Sequence, residues 1–275
     1  METKLESDNL SESPRLKIVV YSLFPETVSS VLNTSILRRA QVKGLVSLES
    51  KDLRSFALDK HRTTDDTPFG GKQGMLIKAD VVALAAQSEL DALNGKRENL
   101  KVLATHPRGV RLEQPVLEKF CDWISQERHE TQSIVIFCGR YEGIDERFYR
   151  EWVDMEISLG DFILSGGELA ALCFVDALVR LIPGVLGHVD SNREDSFSNG
   201  LIEYPQYTKP RECLGQGVPE ELTGGNHAKA EEWRLRQSLL VTAAFRPDLI
   251  LKHDGTNIPK WAQDLLQYLK DRIKE

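Results

Sequence analysis

Hydrophobic positions along the first two thirds of the chain alternate between the periods of strands and helices. Lys17 to Leu23 is a run of β-branched and other apolar residues and predicts a buried strand. Pro25 and Glu26 follow it and are typical of the first turn of a helix. Ser133 to Cys138 is the most strand-like run and leads into a loop punctuated by glycine. Strands that alternate with helices in this way predict an α/β fold, with a mainly parallel sheet covered by helices on both faces.

Further periodic segments complete this predicted order. Two of them are predicted strands. The first is Val46 to Leu53, and the second is Lys101 to Thr105, with Pro107 and Gly109 expected to prevent it from continuing. The predicted helices are Lys78 to Asn94, Glu113 to Gln126 and Glu168 to Leu181.

The pattern changes after the last of these helices. Residues 183–200 lose their periodicity and fill with Gly, Asp, Ser and Asn, which predicts a linker. Asn226 is a good N-cap for a helix from His227 to about Phe245, which Arg246 and Pro247 end. We therefore divide the chain into a disordered tail (1–14), an α/β domain (15–186), a linker (187–194) and a small, mainly helical domain (195–275).

Composition narrows the class of protein. The chain has 275 residues, of which 41% are hydrophobic, so it can bury a substantial core. No apolar run approaches the roughly 18 to 20 residues that span a bilayer, and the N-terminal segment is polar and acidic rather than signal-like. We expect a cytoplasmic protein with no membrane partner. The formal net charge of −7 means that any binding of nucleic acid must rest on local basic patches.

Cysteine and histidine spacing does not predict a metal site. The four cysteines lie far apart and are expected to be free thiols, and no two histidines have the spacing of a metalloprotease helix. No fixed metal site is therefore predicted, and a requirement for Mg²⁺ is left open.

Three glycine-rich segments allow backbone to approach a ligand closely: Pro68 to Gly74, Cys138 to Gly143, and Leu164 to Glu168. The first is not a phosphate-binding loop, since the upstream glycine is missing and Gln73 stands where Ser or Thr holds magnesium. No segment matches the dinucleotide-binding fingerprint either. Taken singly, the three segments are equally consistent with simple turns.

Taken together and in order, longer segments are more specific. They are Ser22 to Glu26, His61 to Met75, Cys138 to Arg147, Gly160 to Glu168, Ile182 to Gly187 and Glu194 to Phe197. This ordered set closely resembles the bacterial tRNA (guanine-N(1)-)-methyltransferases, the TrmD family of the SPOUT class. The resemblance extends from about Lys17 to Leu249.

The resemblance implies a SPOUT-type parallel sheet with a deep trefoil knot around Leu103 to Gly167. It also implies a homodimer whose active site is shared between subunits, and a cleft that binds the methyl donor S-adenosylmethionine in a bent conformation. The residues implied in donor binding are Thr105, His106, Pro107, Gly109, Gly139, Tyr141, Glu142, Gly143, Ser158, Leu159, Gly160, Phe162, Leu164, Gly166 and Gly167.

The implied reaction methylates nitrogen-1 of the guanine on the 3′ side of the tRNA anticodon, a modification that prevents frameshifting. By resemblance, Asp195 is the general base that removes the proton from this nitrogen. Arg180 matches the family's catalytic arginine and would stabilise negative charge on the guanine oxygen. An arginine at the end of a helix also offsets the helix dipole, so a structural role for Arg180 is the alternative.

Local positive charge in the C-terminal domain is expected to hold the anticodon stem-loop of the tRNA. The residues concerned are Lys209, Arg211, Arg234 and Arg236, with Lys229 nearby. The chain departs from the family's usual residues at Lys72, Gln73, Ala104, His106, Arg108, Phe162, Val241 and Phe245. Two other hypotheses stay open: an RNA-binding protein that has lost turnover, and a methyltransferase that acts on a different RNA position.

Overall fold

The computed structural model describes residues 16–71, 73–125, 130–186 and 195–274. The predicted tail (1–14) and the predicted linker (187–194) lie outside these ranges. The described residues form two compact units that divide between residues 187 and 188.

A five-stranded sheet forms the centre of the first unit. Its strands are β1 (Leu16–Ser22), β2 (Ser47–Asp52), β5 (Leu100–Arg111), β6 (Gln132–Phe137) and β7 (Met155–Ser158). Their order is β2-β1-β6-β5-β7, and all neighbours are parallel. A separate two-stranded hairpin is built from β3 (Asp65–Asp66) and β4 (Leu76–Ile77). The predicted α/β fold with a parallel sheet is confirmed.

Helices connect these strands. They are α1 (Pro25–Leu32), α2 (Ser35–Val42), α3 (Ala79–Ala92), α4 (Gln114–Ser125), α5 (Glu146–Trp152) and α6 (Glu168–Leu181), with 3-10 turns at Leu53–Phe56 and Arg97–Asn99. The bounds predicted for α6 are those observed. Helices α2 and α5 and strand β7 were not predicted, because each is short and carries charged residues that hide its period.

The two faces of the sheet carry two separate cores. Alternate residues of β1 point to opposite faces: Ile18 and Val20 join one cluster, and Val19 and Tyr21 join the other. Residues of α1, α2, α4 and α6 cover the first face, and residues of α3 and α5 cover the second. Burial on both faces explains why this strand is hydrophobic throughout.

Strand β5 corrects one prediction. It was expected to end at Thr105, but it continues to Arg111, and its register against β7 shifts between Thr105 and Val110. Gly109 allows β5 to lie this close to β7 where the register shifts, since an added Cβ would lie 2.6 Å from backbone atoms of Glu156 and Ile157. The Pro and Gly residues therefore mark an irregularity within the strand rather than its end.

The second unit is built mainly from helices. Its elements are β8 (Glu212–Cys213), β9 (Gln216–Gly217), α7 (Glu220–Thr223), α8 (His227–Phe245), α9 (Pro247–Lys252) and α10 (Lys260–Lys274). The side chain of Asn226 accepts a hydrogen bond of 3.2 Å from the amide of Lys229, as the predicted N-cap requires. Leu239 of α8 packs in a small core with Ile250 and Leu266. Within the described residues, none of the helices is long and apolar enough to cross a membrane.

Candidate functional site

Loops at the carboxyl ends of β6 and β7, together with the irregular part of β5, line one cleft of about 370 Å³. Carboxyl ends of neighbouring parallel strands meet at one edge of a sheet, which is where ligands bind in open α/β folds. The volume lies within the range of small-molecule sites.

Nearly all the residues that the sequence resemblance implied in donor binding lie around this cleft. The lining members are Thr105, His106, Pro107, Gly139, Tyr141, Glu142, Gly143, Ser158, Leu159, Gly160, Phe162, Leu164, Gly166 and Gly167. Gly109 does not line it, since it lies against the backbone of β7. Further lining residues were not on the predicted list: Arg140, Ile157, Ile163, Ser165 and Ala170.

Backbone hydrogen bonds hold the three walls of the cleft together. The amide of Gly167 donates to the carbonyl of Gly139 at 2.9 Å, and the amide of Gly139 donates to Thr105 Oγ1 at 3.1 Å. A Cβ on Gly167 would lie 2.8 Å from Thr105 Cβ and would collide with its hydroxyl oxygen. Glycine is therefore required at position 167 for the walls to meet.

The 139–143 loop turns tightly and is held from outside. Tyr141 has a φ of 57°, and the amide of Gly143 donates to the carbonyl of Arg140 at 2.9 Å. The amide of Glu142 donates to the carbonyl of Met75 at 3.0 Å, and that of Ile77 to the carbonyl of Gly143 at 3.0 Å. The segment after the first glycine-rich loop thus supports the cleft without lining it.

A buried ion pair lies at one wall of the cleft. Arg140 Nε donates to Glu168 Oε1 at 3.0 Å, and the side chain of Glu168 is only 3% exposed. Glu168 is the first residue of α6, where the helix dipole favours a negative charge. Burial, with the charge of Glu168 adding to it, holds the pKa of Cys138 well above its usual range, so this thiol is unreactive. No prediction from the sequence named this pair; the acidic residue directly after Gly-Gly at the start of an apolar helix is the one feature that could have drawn attention to Glu168.

His106 is a neutral group at the rim. Burial lowers its pKa; the charge of Glu156 opposes this and that of Arg108 adds to it. Its Nδ1 accepts a hydrogen bond from the backbone amide of Arg108 at 3.1 Å, and the centres of its ring and the Tyr149 ring lie 5.3 Å apart with the planes at 79°. Arg108 itself bonds Glu156 at 2.8 Å and Glu146 at 2.9 Å. The residues that depart from the family pattern here form a local polar network.

The two predicted catalytic residues belong to different units. Arg180 is half-buried in the last turn of α6 in the first unit. Asp195 is half-buried in the second unit, where its carbonyl accepts hydrogen bonds from the amide and hydroxyl of Ser198 at 3.2 and 2.6 Å.

The residues expected to bind RNA all lie in the second unit. Arg234 pairs with Glu231 and lies 5.4 Å from the ring of Tyr204. Arg236 pairs with Glu232 at 3.3 Å, while Lys209 and Lys229 are exposed. Arg211 donates to Thr223 Oγ1 at 3.1 Å. Two of these cations, Arg234 and Arg236, are thus partly offset by neighbouring carboxylates.

Metal ligands do not cluster in the described ranges. No group of three or more His, Cys, Asp or Glu side chains there is arranged to hold an ion. Cys121, Cys138, Cys173 and Cys213 are free thiols.

Comparison with known proteins gives the family. Residues 16–252 match the family described as tRNA (Guanine-1)-methyltransferase TrmD. A tRNA (guanine-N(1)-)-methyltransferase of Staphylococcus epidermidis is 43% identical over 259 residues, which cover 94% of this chain and 99% of that protein. A protein of the same name from Citrifermentans bemidjiense is 45% identical, and the alignment covers 86% of this chain and 90% of that protein. Another from Limosilactobacillus fermentum is 44% identical, with 93% of this chain and 96% of that protein covered. The chain therefore belongs to the tRNA (guanine-1)-methyltransferase TrmD family.

Proposed function

We propose that this protein transfers a methyl group from S-adenosylmethionine to nitrogen-1 of the guanine on the 3′ side of the tRNA anticodon. Membership of the family supports the reaction. The single observation that carries the proposal for this chain is the cleft, since nearly all the residues expected to bind the donor line it.

The cleft suits the donor in size and in lining. Its volume of about 370 Å³ is sufficient for a nucleoside with a short side chain. Gly139, Gly143 and Gly166 line the cleft without side chains, so a ligand can come close to the backbone there. Tyr141 and Phe162 at the rim are more than half exposed and offer apolar surface to the ligand.

The chemistry requires one base and one cation. Neutral guanine carries a proton on nitrogen-1, and Asp195 accepts this proton as the nitrogen attacks the methyl carbon. The nitrogen–carbon bond forms as the carbon–sulfur bond breaks, and the electron pair of that bond stays on sulfur to give neutral S-adenosylhomocysteine. Arg180 stabilises the negative charge that develops on the guanine oxygen.

The proposal includes a homodimer and a trefoil knot. The resemblance implies that each active site combines the first unit of one copy, which carries Arg180, with the second unit of another, which carries Asp195. Ile163 at the cleft and Leu169 on α6 are 80% and 55% exposed, and large exposed apolar side chains are typical of surfaces that a partner covers. The knot follows from the resemblance and would lie between Leu103 and Gly167, a range in which hydrogen bonds join Thr105, Gly139 and Gly167.

The tRNA is proposed to bind through the second unit. The cations are Lys209, Arg211, Arg234 and Arg236. They would contact phosphates of the anticodon stem-loop, since phosphate contacts provide most of the affinity for a polyanion.

The decisive experiment measures methyl transfer from labelled donor to a tRNA transcript with two guanines at the target site, followed by mapping of the product. Wild type is expected to form 1-methylguanosine beside the anticodon. Asp195→Ala should bind the donor but turn over about 100-fold more slowly or worse, because a general base contributes a factor of that order. Asp264→Ala removes an exposed aspartate of α10 and should leave the rate unchanged.

The same experiment separates the other hypotheses. A wild-type protein that binds donor and tRNA without transfer would support the RNA-binding protein. Methylation of another nucleotide would support a different target. An Asp195→Ala variant as active as wild type would remove Asp195 from the role of base.

A further inference from the structure

The segment Ser22 to Glu26 is one of the motifs singled out in the sequence, yet the proposed reaction uses none of its residues. It connects the end of β1 to the first turn of α1. Neither Ser22 nor Phe24 lines the cleft, so a contribution to ligand binding must act through other residues.

Ser22 holds a carboxylate in place. Its side chain is fully buried, and its Oγ donates to Glu168 Oε1 at 2.6 Å while accepting from the amide of Phe24 at 2.8 Å. Because one hydroxyl makes both bonds, it restrains the orientation of the Glu168 carboxylate.

Arg140 links the Glu168 carboxylate to the lining of the cleft. Its Nε donates to the same Glu168 oxygen at 3.0 Å, and its Nη1 donates to the carbonyl of Ser165 at 3.2 Å. Its guanidinium carbon lies 4.3 Å from the centre of the Phe24 ring, which is within the range of a cation–π contact. Arg140 and Ser165 both line the cleft and belong to two different walls.

Side-chain contacts at Arg140 add to the backbone hydrogen bonds of walls that are rich in glycine. Gly139, Gly143, Gly166 and Gly167 contribute no side chains, and glycine loses the most conformational freedom on ordering. If the loop is already ordered before the ligand binds, the binding free energy does not include the entropy lost on ordering it, so binding is tighter.

We propose that Ser22, Phe24 and Glu168 are positioning residues that hold Arg140, and through it the 139–143 and 165–167 walls, in the geometry that binds the methyl donor. The inference rests on the proposed function, since it assumes that the cleft holds this donor. Arg140 is fixed on three sides: by the Glu168 carboxylate, by the Ser165 carbonyl and by the face of Phe24.

The test measures the affinity of the full-length protein for S-adenosylhomocysteine by calorimetry, with the thermal midpoint and the KM for tRNA measured in parallel. Phe24→Leu keeps an apolar side chain but removes the ring face, and Ser22→Ala removes one hydroxyl. Each should weaken binding roughly tenfold while the KM for tRNA stays within twofold, as expected when only the preorganisation of the donor cleft is lost. Arg140→Lys keeps the positive charge but not the planar guanidinium that bonds both Glu168 and Ser165. Its affinity for S-adenosylhomocysteine should lie between those of wild type and Arg140→Ala.

A matched control separates positioning from stability. Phe120→Leu replaces a buried ring whose centre lies 5.1 Å from that of the Phe174 ring in the core. It should lower the thermal midpoint without changing a residue that contacts Arg140. Its affinity for S-adenosylhomocysteine should equal that of wild type. Affinities within twofold of wild type in Phe24→Leu and Ser22→Ala, whatever their midpoints, would overturn the inference. A wild-type protein that does not bind S-adenosylhomocysteine would instead refute the proposed function.

Discussion

Arg140 in the first unit and Arg236 in the second both pair with a glutamate, but their surroundings differ. Arg140 bonds Glu168, which is 3% exposed and also held by Ser22. Arg236 bonds Glu232 on the same helix, and both side chains are more than half exposed. The first pair is part of the structure around the cleft. The second pair is solvated and lies on one helix, with the Arg236 guanidinium 5.3 Å from the centre of the Trp261 ring. Burial, rather than the presence of an ion pair, decides how much each contributes.

The largest effect is expected where the buried pair is broken. Glu168→Ala leaves Arg140 without its carboxylate and Ser22 without its acceptor, which should lower the free energy of unfolding by about 3 kcal/mol. Urea denaturation measures this change. Glu232→Ala is the exposed counterpart and should cost under about 1 kcal/mol. Equal losses in the two variants would contradict the comparison.

A second effect concerns the contact between the cleft walls. Gly167→Ala places a methyl group against the hydroxyl of Thr105, so we expect affinity for S-adenosylhomocysteine to fall more than tenfold. Overpacking of this kind costs about 1 to 3 kcal/mol. Gly217→Ala in the second unit meets nothing within 4 Å and is the matched control. Calorimetric titration of both variants is the measurement, and unchanged binding in Gly167→Ala would show that the walls can separate.

Glu89 extends the comparison to a buried carboxylate that does not line the cleft. Burial by itself raises its pKa, but the hydrogen bonds from Lys51 at 2.6 Å and Tyr21 at 2.8 Å, with the charge of Lys17, outweigh it and lower the pKa below the ordinary 4.5. The stabilisation is therefore present above the unfolded pKa and is lost as the pH falls through the folded one. The difference in unfolding free energy between wild type and Glu89→Gln should shrink from pH 7 to pH 3. A constant difference would contradict this.

The smallest effect on stability is expected at the exposed arginine. Arg236→Ala should change the free energy of unfolding by under about 1 kcal/mol, because both partners remain hydrated. If Arg236 contacts a phosphate, the same variant should bind tRNA more weakly and with a shallower dependence on salt. Filter binding at several salt concentrations measures the slope. An unchanged slope would remove Arg236 from the RNA contacts.

Hydrophobic periodicity determined the long elements of the fold. The strands β1 and β6 and the helix α6 were predicted within one residue, because each buries a continuous or periodic apolar set. Helix α8 was predicted from its ends instead, the N-cap Asn226 and the stop at Arg246 and Pro247, and it buries only Ser238, Leu239 and Thr242. The end of β5 was wrong, since proline and glycine look the same in sequence whether they end a strand or kink it. Short elements such as β7 have too few residues to show a period.

The sequence by itself singled out two glycine-rich segments that lie at the cleft, Cys138 to Gly143 and Leu164 to Glu168, and the order in which they occur. Only the tertiary structure decided that these loops meet around one cleft, that Gly109 supports a strand crossing instead of lining it, and that Ser22 and Glu168 fix Arg140 between two walls. The physical reason is that such contacts join residues far apart in the chain, here 146 positions between Ser22 and Glu168. The local sequence pattern predicts the conformation of a segment, but it does not predict which distant residues that segment contacts in the folded protein.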